Sequence, residues 1–352
     1  MENIAFVKNS KEKHDVSFVE EVLPELSENE CLIEVHAVGI CGSDLHMYEG
    51  HGGYEWITYP LVLGHEVTGK IIDVGNLKNK GCISKRIVID PYTGCGKCSF
   101  CKNGETNRCD SGTFQLNKTP TDALQYGFRK AGGLAKFMIA DINNCIIIDE
   151  AITDEVAAIS EALAVSYTAI LKVNDYTNKK ILVVGPGPIG LGALAILVGG
   201  GNKQVDVLGT REDGDRLNLA KKIGAQRVYV DSKEIIEESF SGYDVVIDSS
   251  GHPSVPRESI KLLKRGGQMV LVGINHADFS LQMSQVVRGE ITIDGSYGIT
   301  RKNYEKLLEL ASEPEYPFDR LIAEKVNFKD VIKGLELASK KVSGKVVVRM
   351  KG

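Results

Sequence analysis

Four cysteines, Cys95, Cys98, Cys101 and Cys109, fall within 15 residues as C-x2-C-x2-C-x7-C. Thiolates at that spacing suit a tetrahedral zinc ion whose ligands come from one loop, with little closure entropy to overcome. The surrounding text, TGCGKCSFCKNGETNRC, is rich in glycine and poor in apolar residues, so a lobe built there takes its order from metal more than from a core. Structural zinc is the favoured reading, with free thiols or an iron–sulfur cluster as alternatives. A second set is spread out: Cys41, Ser43, Asp44 and His46 in GICGSDLH, then His65 and Glu66 in LGHEVTG. Cysteine, histidine and glutamate together are the donors of a zinc site with an open position. Asp44 is suited to orient His65 through its far ring nitrogen, and Ser43 with His46 to pass a proton to solvent. Cys31, Cys82, Cys145, His14, His36, His51, His252 and His276 read as ordinary core or polar residues.

A third motif is Gly185-Pro186-Gly187-Pro188-Ile189-Gly190, between the apolar run ILVV and helical text. Strand, G-x-G-x-x-G and helix in that order form a dinucleotide-binding turn. Gly185 permits the tight turn, Gly187 lets a pyrophosphate approach the main chain, and Gly190 allows helix to pack on strand, with the helix N-terminus facing the anion. About 20 positions on, an acidic residue normally binds the adenosine ribose. Here QVDVL ends in Gly209-Thr210-Arg211 instead. Glycine makes room for a 2′-phosphate and Arg211 can pair with it, so NADP is expected over NAD. The alternative is a solvated Arg211, with Glu212 or Asp213 on the ribose.

The elements that must position these residues change character near residue 150. Before it, Cys31–Val38, Val67–Val74 and Arg86–Asp90 read as short strands of a β-rich unit. From about Asp154, helical text alternates with strands at Ile181–Val184, Val205–Leu208, Arg227–Val230, Asp244–Asp248 and Gln268–Val272, which implies a parallel sheet. After Gly295 the text is helical and ends in the strand-like KVVVRM. The 352 residues, 43% of them hydrophobic and 25% charged, exclude a single small module and a disordered chain. With 47 acidic residues against 42 basic ones, the net charge of −5 gives no general attraction to nucleic acid. Ile181–Gly201 is uncharged over 21 residues, but its glycines and two prolines argue for strand, turn and packed helix rather than a membrane span. Met1 is followed by polar text rather than a secretory leader, so the cytoplasm is the expected location.

The order GICGSDLH, GHE, the four clustered cysteines, GGLAKF and GPGPIG resembles the zinc-dependent medium-chain dehydrogenase/reductase superfamily across essentially the whole chain. The resemblance implies an α/β fold: a GroES-like β-rich catalytic domain (1–153), a Rossmann coenzyme domain with a doubly wound parallel sheet (154–295), and a C-terminal segment (296–352) returning to the catalytic domain. By position it assigns Cys41, His65 and Glu66 to a catalytic zinc, Ser43 and His46 to a proton relay, and the four cysteines to a structural zinc. That makes two zinc ions per chain. In SEALAVSYTAI, the position that is cysteine in zinc alcohol dehydrogenases is Glu161, as in the polyol, threonine and glucose dehydrogenase branch. Glu161 is therefore a further candidate zinc ligand, and its carboxyl suits a substrate with several hydroxyls. Two departures stand out. Gly75–Ser84 lacks the usual Gly-Asp-Arg-Val motif, with Arg86 near its place, and Ser111–Tyr126 is long and polar.

The implied reaction is reversible oxidation of a secondary hydroxyl on a polyol, sugar or sugar-derived substrate. Its proton leaves through Ser43 and His46, and its hydride goes to the nicotinamide. L-Threonine oxidation and glucose C1 oxidation are the alternatives within the class, and a non-catalytic zinc- and nucleotide-binding protein lies outside it. A small polyhydroxylated molecule is the expected partner, with no nucleic acid or membrane. The resemblance implies a homotetramer, with a dimer as the alternative.

Overall fold

The β-branched runs of the first 150 residues form strands, but the chain does not leave them as a separate unit: its last strands come back to pair with them. The computed structural model describes residues 1–111, 125–237, 241–275 and 277–350. Most of the long polar segment Ser111–Tyr126, and His276, lie outside the described residues. In chain order the first part contains β1 (Glu2–Lys8), β2 (Val16–Val22), β3 (Glu30–Gly39), α1 (Gly42–Glu49), β4 (Leu61–Val62), β5 (Glu66–Val74), β6 (Arg86–Ile89), the one-turn α2 (Ser99–Lys102), β7 (Phe137–Asp141) and β8 (Cys145–Ile147). The long α3 (Asp154–Ile170) leads to β9 (Ile181–Val184), α4 (Pro188–Gly199), β10 (Val205–Leu208), α5 (Gly214–Ile223), β11 (Arg227–Tyr229), α6 (Ser232–Glu237) and β12 (Tyr243–Asp248). Then follow α7 (Val255–Ser259), β13 (Leu263–Leu271), α8 (Met283–Gly289), β14 (Thr292–Gly295), α9 (Arg301–Ala311), β15 (Ile322–Asn327), α10 (Val331–Ser339) and β16 (Lys345–Arg349).

Two large sheets result. One runs β15-β16-β3-β5-β6-β8, with β7 also on β3, and its β16 pairs antiparallel to β3 through Val347–Gly39, Val348–Val38 and Arg349–Ala37. The other is wholly parallel in the order β11-β10-β9-β12-β13-β14. In that order the direction of winding reverses between β9 and β12, the place where sheets of this kind take a ligand beyond the carboxyl ends of their strands. The uncharged run at 181–201 is β9, a glycine turn and α4, and no helix among the described residues is long and apolar enough to cross a membrane. A smaller sheet, β2-β1-β4, completes the first part.

The sheets are joined by α3, which Thr153 caps through its side chain to the Val156 N–H. It is buried on nearly all sides, and one apolar cluster runs from Ala37, Val88 and Ile146 through its Ala157, Ile159 and Leu163 to Leu191, Val183 and Ile247. Arg86, which stands near the expected Gly-Asp-Arg-Val position, fastens this helix: its guanidinium donates to Ile152 O and Asp154 Oδ1, each at 2.7 Å. Seven of the described strands, β1, β2, β4, β7, β8, β14 and β15, are not among those read from the sequence. Thr292–Gly295 and Ile322–Asn327 are edge strands with little apolar alternation, and β4 has only two residues.

Candidate active site

The turn between β3 and α1 carries Cys41, and the start of β5 carries His65 and Glu66. The β3–β5 ladder puts Gly39 opposite Glu66, which brings the two segments together. A side chain at Gly39 would sit 2.2 Å from Glu66 Oε2, so only glycine leaves that carboxylate its place. One donor atom from each of Cys41, His65 and Glu66 lies within 4.8 Å of the others. His65 and Glu66 are buried and Cys41 is half-buried. Glu161, on α3, is buried nearby, but the structure does not bring its carboxylate into that set.

Asp44 stands at the Nδ1 side of His65, as expected, but at ion-pair distance. Its Oδ1 is 3.7 Å from His65 Nδ1, too far for a hydrogen bond, and its bonds go to the backbone. Oδ2 accepts the Cys41 N–H at 2.9 Å and Oδ1 accepts the Gly64 N–H at 3.3 Å. One buried carboxylate thereby ties together the two loops that carry the donors.

The site asks for a cation. Burial opposes a charged ring at His65, yet the Asp44 carboxylate and the Cys41 sulfur outweigh it and raise the imidazole well above its ordinary pKa. Among the described residues, buried Glu66 Oε2 has no hydrogen-bond partner, so a donor is held ready without being satisfied by protein. The other oxygen, Glu66 Oε1, pairs with buried Lys345, whose ammonium also donates to Ile40 O at 2.7 Å. Burial works against the charge on Lys345, and Glu66 restores it and raises its pKa. Sulfur, imidazole and carboxylate donors with unmet capacity fit zinc. Glu161 is pushed up to about 7 by burial, moderated by His65, and so titrates near neutrality.

Lys345 is a site residue that sequence reasoning missed. It opens the apolar run KVVVRM and there looks like any strand-end lysine, and only the β16–β3 pairing brings it to the centre. The proton-relay candidates are on α1. Ser43 Oγ is buried and unpartnered among the described residues, whereas His46 is exposed and bonded to His51 instead of to Ser43. Phe128 packs on His65 with ring centres 4.9 Å apart, and Trp56 stacks on Phe128 at 5.9 Å, forming an aromatic wall beside the donors.

Cys95, Cys98, Cys101 and Cys109 form the other set, again with donors within 4.8 Å of one another. Backbone N–H groups point at the sulfurs: Cys95 N to Cys109 Sγ at 3.3 Å, Cys98 N to Cys95 Sγ at 3.4 Å and Cys101 N to Cys98 Sγ at 3.4 Å. The N–H groups of Lys97 and Cys98 draw Cys95 down to about 6, which favours the thiolate that zinc binds. Burial pushes Cys101 up to about 12, so four sulfurs do not all ionise without a cation among them. The donor set fits a closed tetrahedral zinc. This lobe touches the segment after β14 through Asn107, whose amide donates to Tyr297 O at 2.7 Å. Cys31, Cys82 and Cys145 are free thiols, the first and last with sulfurs 3.5 Å apart in the core.

The glycine turn follows β9 at the sheet's reversal point. Gly185 has φ 91° and Gly187 caps α4, with Pro188 in the first turn and the Ile189 carbonyl accepting from Ser166 Oγ at 2.8 Å. A Cβ at Gly190 would lie 2.1 Å from Gly185 O, while at Gly187 it would meet nothing within 4 Å, which leaves the main chain open to a phosphate. At the end of β10, Gly209 lies against Pro186, 2.9 Å from where its Cβ would be. The Thr210 N–H and hydroxyl both donate to Asp213 Oδ2, at 2.9 and 2.8 Å. Arg211 is exposed and unpaired among the described residues.

Comparison with known proteins agrees with this geometry. Residues 27–150 match the alcohol dehydrogenase GroES-like domain and residues 188–313 the zinc-binding dehydrogenase family. Sorbitol dehydrogenase of Halalkalibacterium halodurans is 30% identical over 317 residues, 88% of either chain. L-Threonine 3-dehydrogenase of Colwellia psychrerythraea is 28% identical over 337 residues, 92% of this chain and 93% of that one. Among solved structures, the short chain alcohol dehydrogenase rspB of E. coli, complexed with NADH, is similar with a TM-score of 0.88 and 25% identity, covering 99% of this chain and 100% of that one. The chain belongs to the zinc-containing medium-chain alcohol dehydrogenase family. It is a zinc-dependent dehydrogenase acting on CH–OH groups with NAD(P).

Proposed function

We propose that the enzyme oxidises a secondary hydroxyl of a polyol, sugar or sugar-derived substrate and prefers NADP. The observation that carries the substrate class is the acid-lined donor site: Glu66 is fixed by Lys345, and the Glu161 carboxyl is buried close to it, a polar enclosure suited to several hydroxyls. The relation to sorbitol dehydrogenase supports it. Zinc on Cys41, His65 and Glu66 would supply a Lewis acid that makes the substrate hydroxyl easier to deprotonate. Asp44 holds the two donor loops in register, and Phe128 and Trp56 wall the site. Ser43 Oγ has its hydrogen-bonding capacity free to accept the hydroxyl proton, and the carbinol hydride passes to the nicotinamide.

The NADP preference rests on Arg211, exposed beside Gly209 and unpaired among the described residues, with Asp213 committed to Thr210. A carboxylate already accepting two hydrogen bonds is a poor ribose ligand, which leaves Glu212 and NAD as the alternative. Arg211→Ala is expected to lower the NADP/NAD ratio of kcat/KM about tenfold or more, the worth of a charge-assisted hydrogen bond. An unchanged ratio would end the argument. L-Threonine is the second substrate reading, because a threonine 3-dehydrogenase spans 92% of the chain. Assembly as a homotetramer, or a dimer, is supported by exposed apolar residues near the open β14 edge, Ile274, Phe279, Met283, Val287 and Ile293, and sedimentation tests it. The experiment for the whole reading is coenzyme reduction across polyols, aldoses, sugar phosphates and threonine, with and without a chelator. Chelator-sensitive turnover of a polyhydroxylated compound supports it, and turnover of threonine alone replaces it.

A further inference from the structure

We infer that His51 is a positioning residue and outer proton acceptor for His46, so that protons leave the active site through a pair of histidines. Resting on the dehydrogenase reading above, this gives a role to a residue whose sequence surroundings mark it as an ordinary surface histidine.

The pair is built by the end of the helix that starts at a metal donor. Cys41 caps α1, and the helix stops at Gly50, whose φ of 68° is left-handed. The turn sends the Gly50 N–H to Met47 O at 3.2 Å and the His51 N–H to His46 O at 2.9 Å. A Cβ at Gly50 would approach Lys11 O to 2.9 Å, so the turn demands glycine on both conformational and steric grounds. Folded back this way, His51 meets His46 with the two Nδ1 atoms 2.9 Å apart and the ring centres 5.2 Å apart. Tyr54 stacks on His46 at 6.0 Å and 23°, which fixes the plane of the ring. At the inner end, Ser43 lies three residues before His46, on the same helix face, with its buried Oγ unpartnered among the described residues.

Two ring nitrogens at 2.9 Å share one proton, so the rings hold opposite roles. With the proton on His46 Nδ1, His46 Nε2 carries a free lone pair and His51 Nδ1 accepts. Partial desolvation and the neighbouring His51 keep His46 below its ordinary pKa, which leaves the ring neutral and able to accept at neutral pH. The nearby carboxylates are engaged elsewhere: Glu49 with Lys13 and His14, and Glu55 with the Gly53 N–H. The transfer balances as follows. The substrate O–H bond breaks, Ser43 Oγ takes its proton as its own passes through solvent water, and one proton arrives at His46 Nε2. The Nδ1 proton of His46 moves to His51 Nδ1, and His51 releases its Nε2 proton to water. Both rings end neutral in the opposite tautomer, and exchange with water at these exposed residues resets them. The hydride leaves separately to the coenzyme.

His51→Ala and His51→Gln test this in the zinc-loaded enzyme, after wild-type turnover has fixed the substrate. In single-turnover measurements hydride transfer should slow about 10- to 100-fold near neutral pH, with a changed pH profile and a larger solvent isotope effect. Added imidazole should restore His51→Ala, while zinc content and coenzyme affinity stay at wild-type values. A second readout needs no substrate: nitrogen NMR of the His46 ring should show its proton on Nδ1 in the wild type and displaced in His51→Ala. A wild-type rate and profile in both variants, a loss that imidazole does not rescue, or a His46 tautomer indifferent to His51 would overturn the inference. Absence of wild-type turnover on the whole panel would instead count against the dehydrogenase substrate reading, and the NMR result would still decide the pairing of the histidines.

Discussion

The two metal-binding regions are made by opposite strategies. The four-cysteine lobe takes all its donors from 15 residues and partly offsets their charge with its own backbone N–H groups. The other site draws Cys41 from one turn, His65 and Glu66 from another, and the cation that holds Glu66 from Lys345, 279 residues further along the chain. The first set can close on an ion as soon as its loop forms, whereas the second exists only when the sheet containing β3, β5 and β16 is assembled. The cost of assembly has a use. Donors positioned by a distant scaffold can be kept buried and unsatisfied, as Glu66 Oε2 and Ser43 Oγ are, and so remain available to a metal, a substrate or a proton.

The most drastic way to break the comparison is to remove one donor from each region. Cys41→Ser or His65→Ala should lower kcat/KM by on the order of 10³-fold, the loss of several kcal/mol of stabilisation by the metal. Metal analysis should show zinc falling from two per chain to one, with the cysteine lobe retained. Cys109→Ser should remove the other zinc and open the lobe to proteolysis, with a smaller effect on turnover transmitted through Asn107 and Tyr297. If either substitution strips both ions, the regions are not independent and the contrast fails.

A more discriminating test concerns Lys345. In a Cys41→Ser background, where a poorer metal site does less to offset the Glu66 carboxylate, Lys345→Met leaves that carboxylate buried and without its cation. The expected loss of stability in denaturant unfolding is about 3–5 kcal/mol, the usual consequence of orphaning one half of a buried ion pair. Adding Glu66→Gln should recover most of it, because an amide has no charge to strand. Simple additivity of the two substitutions would mean that the contact at Glu66 Oε1 contributes little and that Lys345 is only a strand-end residue.

The same contrast explains what could be read from the sequence. The cysteine lobe and the glycine turn were legible because their chemistry is local: spacing alone brings four sulfurs together, and Gly190 must be glycine because Gly185 O lies where its Cβ would stand. Cys41, His65 and Glu66 were legible as donor types, and their convergence followed from resemblance, since no local rule pairs residue 41 with residue 65. Lys345 and the His46–His51 contact were not legible. The first depends on a long-range antiparallel pairing, the second on a left-handed turn that folds a side chain back onto its own helix. Edge strands such as β15 escaped because IAEKVN, with one face in solvent and charges throughout, lacks the apolar period that marks an internal strand.

The smallest effect lies at the join between the two regions. Asp90 ends the β6 segment that leads into the cysteine lobe and is 4% exposed. Burial raises its pKa to about 6, only partly offset by the Tyr92 N–H and the charge of Arg301. A carboxyl raised in the fold above its unfolded value binds its proton more tightly when folded, so its contribution to stability is complete below about pH 4 and is lost as pH rises through about 6. Asp90→Asn removes the charged form and should stabilise the protein near pH 8 by on the order of 2 kcal/mol, with the gain vanishing toward pH 4. Denaturant midpoints of the variant and wild type across that range measure it. A gain that did not shrink on acidification would come from packing rather than charge, and would place the electrostatic cost of the assembled site wholly on its metal donors instead of sharing it with the strand that leads to the lobe.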